Sequence, residues 1–358
     1  MKSFNLKNGE YYAENVPLAK IADDYATPTY VYSKQALTNA FERFSRGFLG
    51  TNHLVCFAVK SNPSLAILNT FAKLGAGFDI VSGGELARVI AAGGDPAKVV
   101  FSGVGKTEVE MRFALEAGIF CFNVESASEL DRLNAVAASM NKVAPISLRV
   151  NPNVDAKTHP YISTGLKNNK FGVAYEDALS LYQKAAAMSN IEIHGVDCHI
   201  GSQLTELNPF LDALDRVLAL VDALESAGIH IQHIDAGGGI GICYSDETPP
   251  DFADYAKAMR EKIAGRNIKM VFEPGRALVG NAGVLLTKVE YLKHGETKNF
   301  AIVDAAMNDL MRPALYDAYH EIAAVKLNAK TQSQVYEVVG PVCESGDFLG
   351  HDRNLAIA

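Results

Sequence analysis

The chain has 358 residues, a hydrophobic content of 48% and a formal net charge of −8 at pH 7. This length allows one large domain or two, and the composition is typical of a soluble globular protein. No run of lysine and arginine is present, which argues against nucleic acid and anionic membrane surfaces as partners.

The lack of a recognisable targeting signal and the pattern of cysteines both predict a cytoplasmic protein. The N-terminus has no apolar stretch of signal-peptide length, and no apolar run approaches the length of a membrane span. The cysteines are widely spaced, odd in number and form no C-x-x-C pair; they are Cys56, Cys121, Cys198, Cys243 and Cys343. This usage indicates reduced thiols, with neither a disulfide framework nor a structural zinc.

Taken in order, the chain opens with a mixed segment that ends in Thr27-Pro28, followed by a short β-rich run at 29–32 and a helical pattern from Lys34 to about Gly47. An alternation of two patterns then begins. Apolar runs predict strands at 53–60, 77–82, 98–103, 120–125, 145–151, 191–200, 231–237 and 268–274. Helix-patterned stretches lie between them at 64–74, 84–92, 106–117, 127–140, 175–188, 208–227 and 251–264.

Strands that alternate with helices imply a parallel sheet. Eight strands over about 250 residues is the count at which a (β/α)8 barrel closes. An open doubly wound sheet also alternates, but eight consecutive units without a second motif favour the TIM-like barrel. The wider spacing after the fifth strand predicts a substantial loop from His159 to Gly172 on the functional rim.

The pattern changes after Gly280, where strand-like runs at 284–292, 300–304 and 334–339 follow without an intervening helix. They predict a C-terminal antiparallel β domain that also takes the early strand at 29–32. We therefore expect an N-terminal segment at 1–32, a barrel at 33–282 and a β-sandwich or barrel-like domain at 283–358. Residues 355–358 resemble the beginning of another strand, so we expect this last domain to be truncated.

The active site of a parallel barrel lies at the C-terminal ends of its strands. Lys60 follows a six-residue apolar run and precedes Pro63. Partial desolvation at such a rim would lower the lysine pKa and make the amine nucleophilic, whereas the alternative is a solvated lysine at a strand exit. The other predicted rim residues are Asp79, Ser82, Ser102, Glu125, Arg149, Asn151, His199, Ser202, Glu273 and Arg276.

A glycine-rich run, Asp235-Ala-Gly-Gly-Gly-Ile-Gly241, follows the seventh predicted strand. Glycines allow backbone N–H groups to approach an anion, and a phosphate site after strands seven and eight recurs in barrels; the alternative is a tight turn. The order of glycines does not fit the dinucleotide fingerprint. The stretch Gly103-Val-Gly-Lys-Thr107 lacks the upstream glycine of a nucleotide P-loop.

Two of these rim residues, His199 and Glu273, have more than one possible role. His199 could serve as a base, a metal ligand or a flat surface for a ring, but no carboxylate or second histidine lies at metal spacing from it, so we predict no metal. Glu273 either pairs with Arg276 or holds a protonated ring nitrogen while Arg276 meets an anion. A lysine, a phosphate cradle, a flat ring and a carboxylate are the parts of a pyridoxal 5'-phosphate (PLP) site.

On these residues the chain resembles the fold-type III, alanine-racemase-like PLP-dependent decarboxylases, nearly from end to end. The last two of the shared motifs are specific to the branch that acts on diaminopimelate. The motifs are Phe57-Ala-Val-Lys60, Lys170-Phe-Gly172, His199-Ile-Gly-Ser-Gln203, Gly237-Gly-Gly239, Glu273-Pro-Gly-Arg276, Asn308-Asp-Leu-Met-Arg312-Pro-Ala-Leu-Tyr316 and Cys343-Glu-Ser-Gly-Asp347.

The resemblance implies a role for each matching residue. Lys60 carries the cofactor covalently, and His199 stacks on its ring. The phosphate and ring are held by Ser202, Gly238, Gly239, Glu273, Pro274, Gly275 and Arg276, with Glu273 at the pyridine nitrogen. The distal end of the substrate is read by Arg276, Arg312, Tyr316 and Glu344. Cys343 donates the proton that replaces the lost carboxylate; the alternative for Cys343 is a buried thiol of the β domain.

The resemblance also implies the reaction and the assembly. The expected reaction is the decarboxylation of meso-2,6-diaminopimelate to L-lysine and CO2, the last step of lysine biosynthesis. The expected assembly is a homodimer in which Cys343 and Glu344 complete the neighbouring subunit's site. The alternatives are a related decarboxylase acting on ornithine, lysine or carboxynorspermidine, and a catalytically silent homologue that binds PLP.

Overall fold

The computed structural model describes residues 4–154, 170–327 and 331–357. Contacts divide the chain into two compact units. We call one the β unit, which comprises Met1–Ala36, Cys243–Glu247 and Asn281–Ala358. The other is the barrel unit, which comprises Leu37–Ile242 and Thr248–Gly280. The predicted domain limits, at 32/33 and 282/283, stay predictions.

The chain begins with a three-stranded antiparallel meander followed by an amphipathic helix. Apolar side chains from this segment, Phe4, Ala13 and Leu18, share a small core with Leu286 from much later in the chain. The elements are β1 (Phe4–Lys7), β2 (Glu10–Ala13), β3 (Val16–Pro17), α1 (Leu18–Tyr25), β4 (Thr29–Tyr32) and α2 (Lys34–Arg46).

The barrel unit then alternates strands and helices as predicted. Single-turn 3₁₀ helices occur at Val59–Ser61 and Pro96–Lys98. The elements are β5 (His53–Ala58), α3 (Leu65–Lys73), β6 (Gly77–Ile80), α4 (Gly83–Ala91), β7 (Val99–Phe101), α5 (Glu108–Ala117), β8 (Cys121–Val124), α6 (Ala127–Ser139), β9 (Ala144–Asn151), β10 (Val173–Ala174), α7 (Tyr175–Ala186), β11 (Ile191–Asp197), α8 (Asn208–Ser226), β12 (His233–Asp235), α9 (Phe252–Lys262), β13 (Lys269–Phe272) and α10 (Arg276–Val279).

The eight predicted strands form a closed parallel barrel. Their order follows the sequence, β5-β6-β7-β8-β9-β11-β12-β13, and the pairing of β13 with β5 closes the ring. Side chains on β6, β7 and β8 are buried along the whole strand, as expected for a sheet covered on both faces. The barrel fold is therefore confirmed, and the C-terminal strand ends share one rim.

Serine and threonine caps begin several helices directly after this rim. Ser82, which was predicted as a rim residue, accepts the backbone N–H of Glu85 at 3.2 Å and caps α4. Thr107 and Glu110 form a reciprocal capping box at the start of α5. Gly118 then ends α5 in the left-handed conformation, at φ +68°. The Ser82 and Thr107 caps fix how the chain leaves the rim after two of the strands, β6 and β7.

The C-terminal part of the β unit contains β14 (Gly283–Leu286), β15 (Val289–His294), β16 (Asn299–Val303), α11 (Arg312–Tyr316), β17 (Gln334–Val339) and β18 (Phe348–Leu355). β14 pairs antiparallel with β4, which confirms that the N-terminal strand joins this domain. The last four strands form one sheet in the order β15-β16-β17-β18. Two of its pairings are antiparallel as predicted, but β16 and β17 pair parallel.

Two details of the structure differ from the sequence predictions, and one prediction concerns residues that the structure does not describe. The run predicted as one strand at 284–292 is broken at Thr287-Lys288, where Asp304 accepts hydrogen bonds from both residues. Leu355 ends β18 and does not begin a new strand. Residues 159–169 of the predicted rim loop lie outside the described residues. None of the described helices combines the length and apolar character needed to cross a bilayer.

Candidate active site

The predicted nucleophile lies just beyond the end of the first barrel strand. Lys60 is the central residue of the 3₁₀ turn that follows β5, and its side chain is 51% exposed. Its Nζ atom lies 2.6 Å from Oδ2 of Asp79, which is fully buried near the end of β6. The lysine is therefore held at the rim by a carboxylate from the neighbouring strand.

This contact corrects the expected direction of the lysine pKa. Desolvation lowers the pKa of Lys60, but the nearby carboxylates of Asp79 and Glu273 outweigh it, so that the pKa lies above its ordinary value. The sequence prediction of a lowered pKa is wrong because it considered burial without the counter-ions. In this state Lys60 is a paired ammonium.

Glu273 lies at the end of β13 and is buried. One of its carboxylate oxygens, Oε1, accepts hydrogen bonds from Ser102 Oγ and Asn123 Nδ2, each at 3.3 Å. Desolvation and the neighbouring Asp235 carboxylate raise the pKa of Glu273 well above its ordinary value. Glu273 therefore retains a proton more readily than an exposed glutamate does.

Asp197, Asp235 and Glu273 form a cluster of buried carboxyl groups at the ends of β11, β12 and β13. One oxygen from each lies within 4.8 Å of the other two. Desolvation and the Asp235 charge raise the pKa of Asp197, and desolvation raises that of Asp235 to about 6. Like charges this close cannot all ionise, so the cluster holds protons at neutral pH.

The glycine run lies between the ends of β11 and β13. Gly237 and Gly239 have φ values of +65° and +118°, which disfavour any other residue. A Cβ atom on Gly238 would lie 2.2 Å from the carbonyl oxygen of Glu273, and one on Gly239 would lie 2.6 Å from that of Gly201. The turn therefore requires glycine for close approach of backbone to backbone.

Two N–H groups of this run position the site. Gly237 donates to Asp235 Oδ1 at 2.9 Å, and Gly238 donates to His199 Nδ1 at 3.1 Å. The second bond requires Nδ1 to be unprotonated, and desolvation with nearby Arg149 lowers the pKa of His199 well below its ordinary value. His199 is consequently a neutral ring of fixed orientation, which suits stacking better than proton transfer.

Arg276 begins α10 after the Glu273-Pro-Gly segment. Its guanidinium contacts Ser202 Oγ at 3.2 Å through Nη2, whereas Glu273 accepts from Ser102 and Asn123. The predicted cofactor residues of the barrel unit are thus brought to one rim. A primary amine, a flat neutral ring, a glycine turn beside Arg276 and Ser202, and a proton-holding carboxyl group fit PLP.

The predicted residues of the β unit lie on two segments tied together by Asp347. This buried carboxylate accepts the N–H of Met307 at 2.6 Å and that of Val342 at 2.9 Å. Cys343 and Glu344 are exposed on the turn that it closes, so the buried-thiol alternative for Cys343 is wrong for this chain. Arg312 and Tyr316 lie at the two ends of α11.

Comparison with known proteins decides the family. The profile described as pyridoxal-dependent decarboxylase, pyridoxal binding domain, matches residues 34–280. The diaminopimelate decarboxylase of Pseudomonas aeruginosa is 59% identical over 358 residues, which are 100% of this chain and 86% of that protein. The chain belongs to the diaminopimelate decarboxylase family.

Solved structures of the diaminopimelate decarboxylase family share the fold. The enzyme from Helicobacter pylori complexed with L-lysine has a TM-score of 0.92 at 41% identity, covering 95% of this chain and 85% of that one. The enzyme from M. jannaschii has a TM-score of 0.94 at 38% identity, covering 100% of this chain and 85% of that one. The predicted family, barrel fold and PLP cofactor are therefore confirmed.

Sequence reasoning missed how the motifs of this diaminopimelate decarboxylase family member support one another. Glu125 accepts the N–H groups of Gly103 and Gly172, at 2.9 and 3.0 Å, and pairs with buried Arg149 at 3.2 Å. Arg149 also lies over the Phe171 ring, 4.8 Å from its centroid. The Lys170-Phe-Gly172 motif is thereby anchored to the rim. The sequence signal was the presence of polar residues at successive strand ends. It did not indicate which of these residues contact one another.

The P-loop-like stretch at 103–107 has a structural role. Lys106 is buried, and its Nζ donates to the carbonyl oxygens of Gly103 and Asn123 and to Glu129 Oε1, at 2.7–2.8 Å. All three ammonium hydrogens therefore have partners within the barrel unit. This agrees with the rejection of a nucleotide site from the sequence.

Proposed function

We propose that this chain decarboxylates meso-2,6-diaminopimelate to L-lysine and CO2 with PLP as its cofactor. The observation that carries the proposal is the Lys60–Asp79 ion pair at 2.6 Å on the same rim as buried Glu273. A primary amine held at the rim by a carboxylate, beside a carboxyl group that holds a proton, meets the two requirements of a PLP site.

Lys60 is the covalent attachment point of the cofactor. Its Nζ atom must lose a proton before it acts as a nucleophile, and the Asp79 carboxylate, which favours the ammonium form, holds Nζ at the rim until that proton is lost. When bound, PLP supplies an electron-withdrawing ring that accepts the bonding electrons of the departing carboxylate. Glu273, which carries a proton because its pKa is raised, would share that proton with the pyridine nitrogen, and neutral His199 would provide a flat surface for the ring.

The phosphate would be held by Ser202, Gly239 and Arg276 together with the backbone of 273–276. Arg276 already contacts Ser202 Oγ, so a phosphate oxygen would join an existing pair of polar groups. The Gly238 N–H is directed to His199, and the contribution of Gly238 is therefore to fix the stacking ring. Phosphate binding by arginine and hydroxyl groups gives charge-assisted hydrogen bonds.

Substrate selectivity comes from the far end of the molecule. Diaminopimelate carries an intact amino-acid group there, whereas ornithine and lysine do not. Arg276, Arg312, Tyr316 and Glu344 provide the cationic, hydroxyl and anionic groups that recognise a carboxylate and an ammonium. Cys343 donates the proton that replaces the lost carboxylate.

The test is CO2 release from diaminopimelate, L-lysine and L-ornithine by the holoenzyme. We expect diaminopimelate to be turned over with the highest kcat/KM, and equal or better rates with lysine or ornithine would overturn the assignment. The visible absorbance of bound PLP should disappear in Lys60→Ala. Turnover of none of the three substrates by a protein that retains this absorbance would instead indicate a silent homologue.

We also propose that the enzyme is a homodimer in which Cys343 and Glu344 complete the partner's site. Their exposure on one turn supports this assembly. Lys60→Ala and Cys343→Ala are each expected to be inactive as pure dimers. If subunits share sites, a one-to-one mixture refolded or exchanged together should regain about one quarter of wild-type activity; no recovery despite subunit exchange would contradict shared sites. The cytoplasmic location stays a prediction.

A further inference from the structure

Arg312 is held by two aromatic side chains of the β unit. Its guanidinium carbon lies 4.8 Å from the centroid of the Tyr244 ring, and Nη1 lies 3.2 Å from His320 Nε2. The two rings contact each other edge to face, with centroids 5.3 Å apart and an angle of 82°. The three side chains therefore form a closed cluster, in which each member touches the other two.

The backbone reverses direction after α11 and places His320 beside Arg312. Pro313 occupies the first turn of α11, and Asp317 ends this helix in the left-handed conformation, at φ +51°. The N–H groups of Asp317 and Ala318 both point to the carbonyl oxygen of Arg312. The chain thus reverses directly after α11, and His320 comes back beside the residue that begins the helix.

Tyr244 reaches the same place from a distant part of the sequence. The segment 243–247 follows the glycine run in the chain and belongs to the β unit. The Glu247 carboxylate accepts the N–H groups of Tyr244 and Ser245 at 2.8 and 2.7 Å. This turn fixes the backbone from which the Tyr244 ring extends over Arg312.

The two contacts constrain the orientation of the guanidinium. A ring face restricts the plane of the guanidinium by cation–π attraction, and a hydrogen bond in that plane restricts its rotation. Because a guanidinium only donates, His320 Nε2 must be the acceptor, which places the imidazole proton on Nδ1.

We propose that Tyr244 and His320 are positioning residues that pre-orient Arg312 for the distal carboxylate of the substrate and so set the selectivity of the enzyme. This inference rests on the proposed function, in which Arg312 reads that carboxylate. A guanidinium whose orientation is fixed before binding loses less conformational freedom, on forming paired hydrogen bonds with a carboxylate, than a freely rotating one does. The cluster therefore favours ligands that keep the distal carboxylate over those that lack it.

The test uses two inhibitors of the holoenzyme that differ by one carboxylate. L-lysine retains the distal carboxylate of diaminopimelate, and cadaverine is lysine without it. In Tyr244→Leu and in His320→Leu, KM for diaminopimelate and the inhibition constant of L-lysine should rise about 3- to 10-fold. The inhibition constant of cadaverine and kcat should stay at the wild-type values. Tyr244→Phe keeps the ring face and should restore the selectivity, and Tyr25→Leu, at an exposed tyrosine of the β unit, serves as the control.

The outcomes separate this inference from the proposed function. Equal losses for lysine and cadaverine, or no loss for either, would overturn the positioning role, since a general disturbance weakens both inhibitors alike. If the wild type released no CO2 from diaminopimelate, the proposed function would fail instead. Binding of the two ligands, followed by the absorbance of bound PLP, would then still test whether the cluster selects for a carboxylate.

Discussion

Lys60 and Asp79 form an ion pair between the ends of two adjacent barrel strands, with Nζ 2.6 Å from Oδ2. The pairing of β5 with β6 places Asp79 directly opposite Ala58, two residues before the lysine. The carboxylate is fully buried and the lysine is half exposed. A buried carboxylate thus holds the lysine ammonium at the point where the cofactor must bind.

Replacing this anion should make Lys60 react with PLP at lower pH. In Asp79→Asn the stabilising charge is lost, so the pKa of Lys60 falls and more of its amine is neutral at a given pH. The rate at which the cofactor-free protein gains visible absorbance on addition of PLP, measured between about pH 6 and 9, should have its midpoint at lower pH than the wild type. Asp215→Asn, which removes a carboxylate from an exposed pair with Lys262, should leave this midpoint unchanged. An unchanged midpoint in Asp79→Asn would argue against the counter-ion role.

A second prediction concerns the glycine run. Gly238→Ala places a Cβ atom against the carbonyl oxygen of Glu273, so the turn must move away from the end of β13. We expect the dissociation constant of PLP to rise at least about tenfold, because the His199 ring and the turn shift together. Gly105→Ala is the matched control, since no atom lies within 4 Å of its Cβ position. Wild-type PLP affinity in a folded Gly238→Ala protein would contradict the close-approach explanation.

The barrel could be predicted from the sequence because each of its strands and helices is specified by a local pattern of residues. Each buried strand, such as Phe78 and Ile80 on β6, is an apolar run between helix patterns, and a serine or threonine marks where several helices begin. The order of the strands then follows from the handedness and spacing of βαβ units. The same logic placed Lys60, His199 and Glu273 at one rim.

Contacts between distant residues could not be predicted in this way. The Lys60–Asp79 and Arg149–Glu125 pairs join different strand ends, and nothing in the spacing says which of the many rim charges meet. The direction of the Lys60 pKa depends on those partners, which is why burial alone predicted the wrong sign. The parallel pairing of β16 with β17 could not be predicted for the same reason, since register is set by packing beyond the local pattern.

The buried pair between Lys106 and Glu129 gives a third prediction. Glu129→Ala leaves the Lys106 ammonium buried without its counter-ion, which should lower the free energy of unfolding by about 3–5 kcal/mol. The double variant Lys106→Met with Glu129→Leu replaces both charges and should lose much less. Urea unfolding of the three proteins measures the difference. Equal losses in the single and double variants would show that packing, and not the unpaired charge, sets the cost.

The carboxyl cluster should make the protein less stable as the pH rises. The pKa of Asp235 is raised to about 6 in the folded protein, against about 3.9 in the unfolded chain, so the folded state binds the proton more tightly. Stability from this group is complete below about pH 4 and is lost as the pH rises through about 6, by an amount on the order of 2–3 kcal/mol. Asp235→Asn keeps an oxygen for the Gly237 N–H and removes the titration. Urea unfolding at a series of pH values should therefore find the variant more stable than the wild type near pH 8 and equal to it near pH 4. Parallel pH profiles for the two proteins would mean that folding does not shift the pKa of Asp235, and that the cluster holds its protons elsewhere.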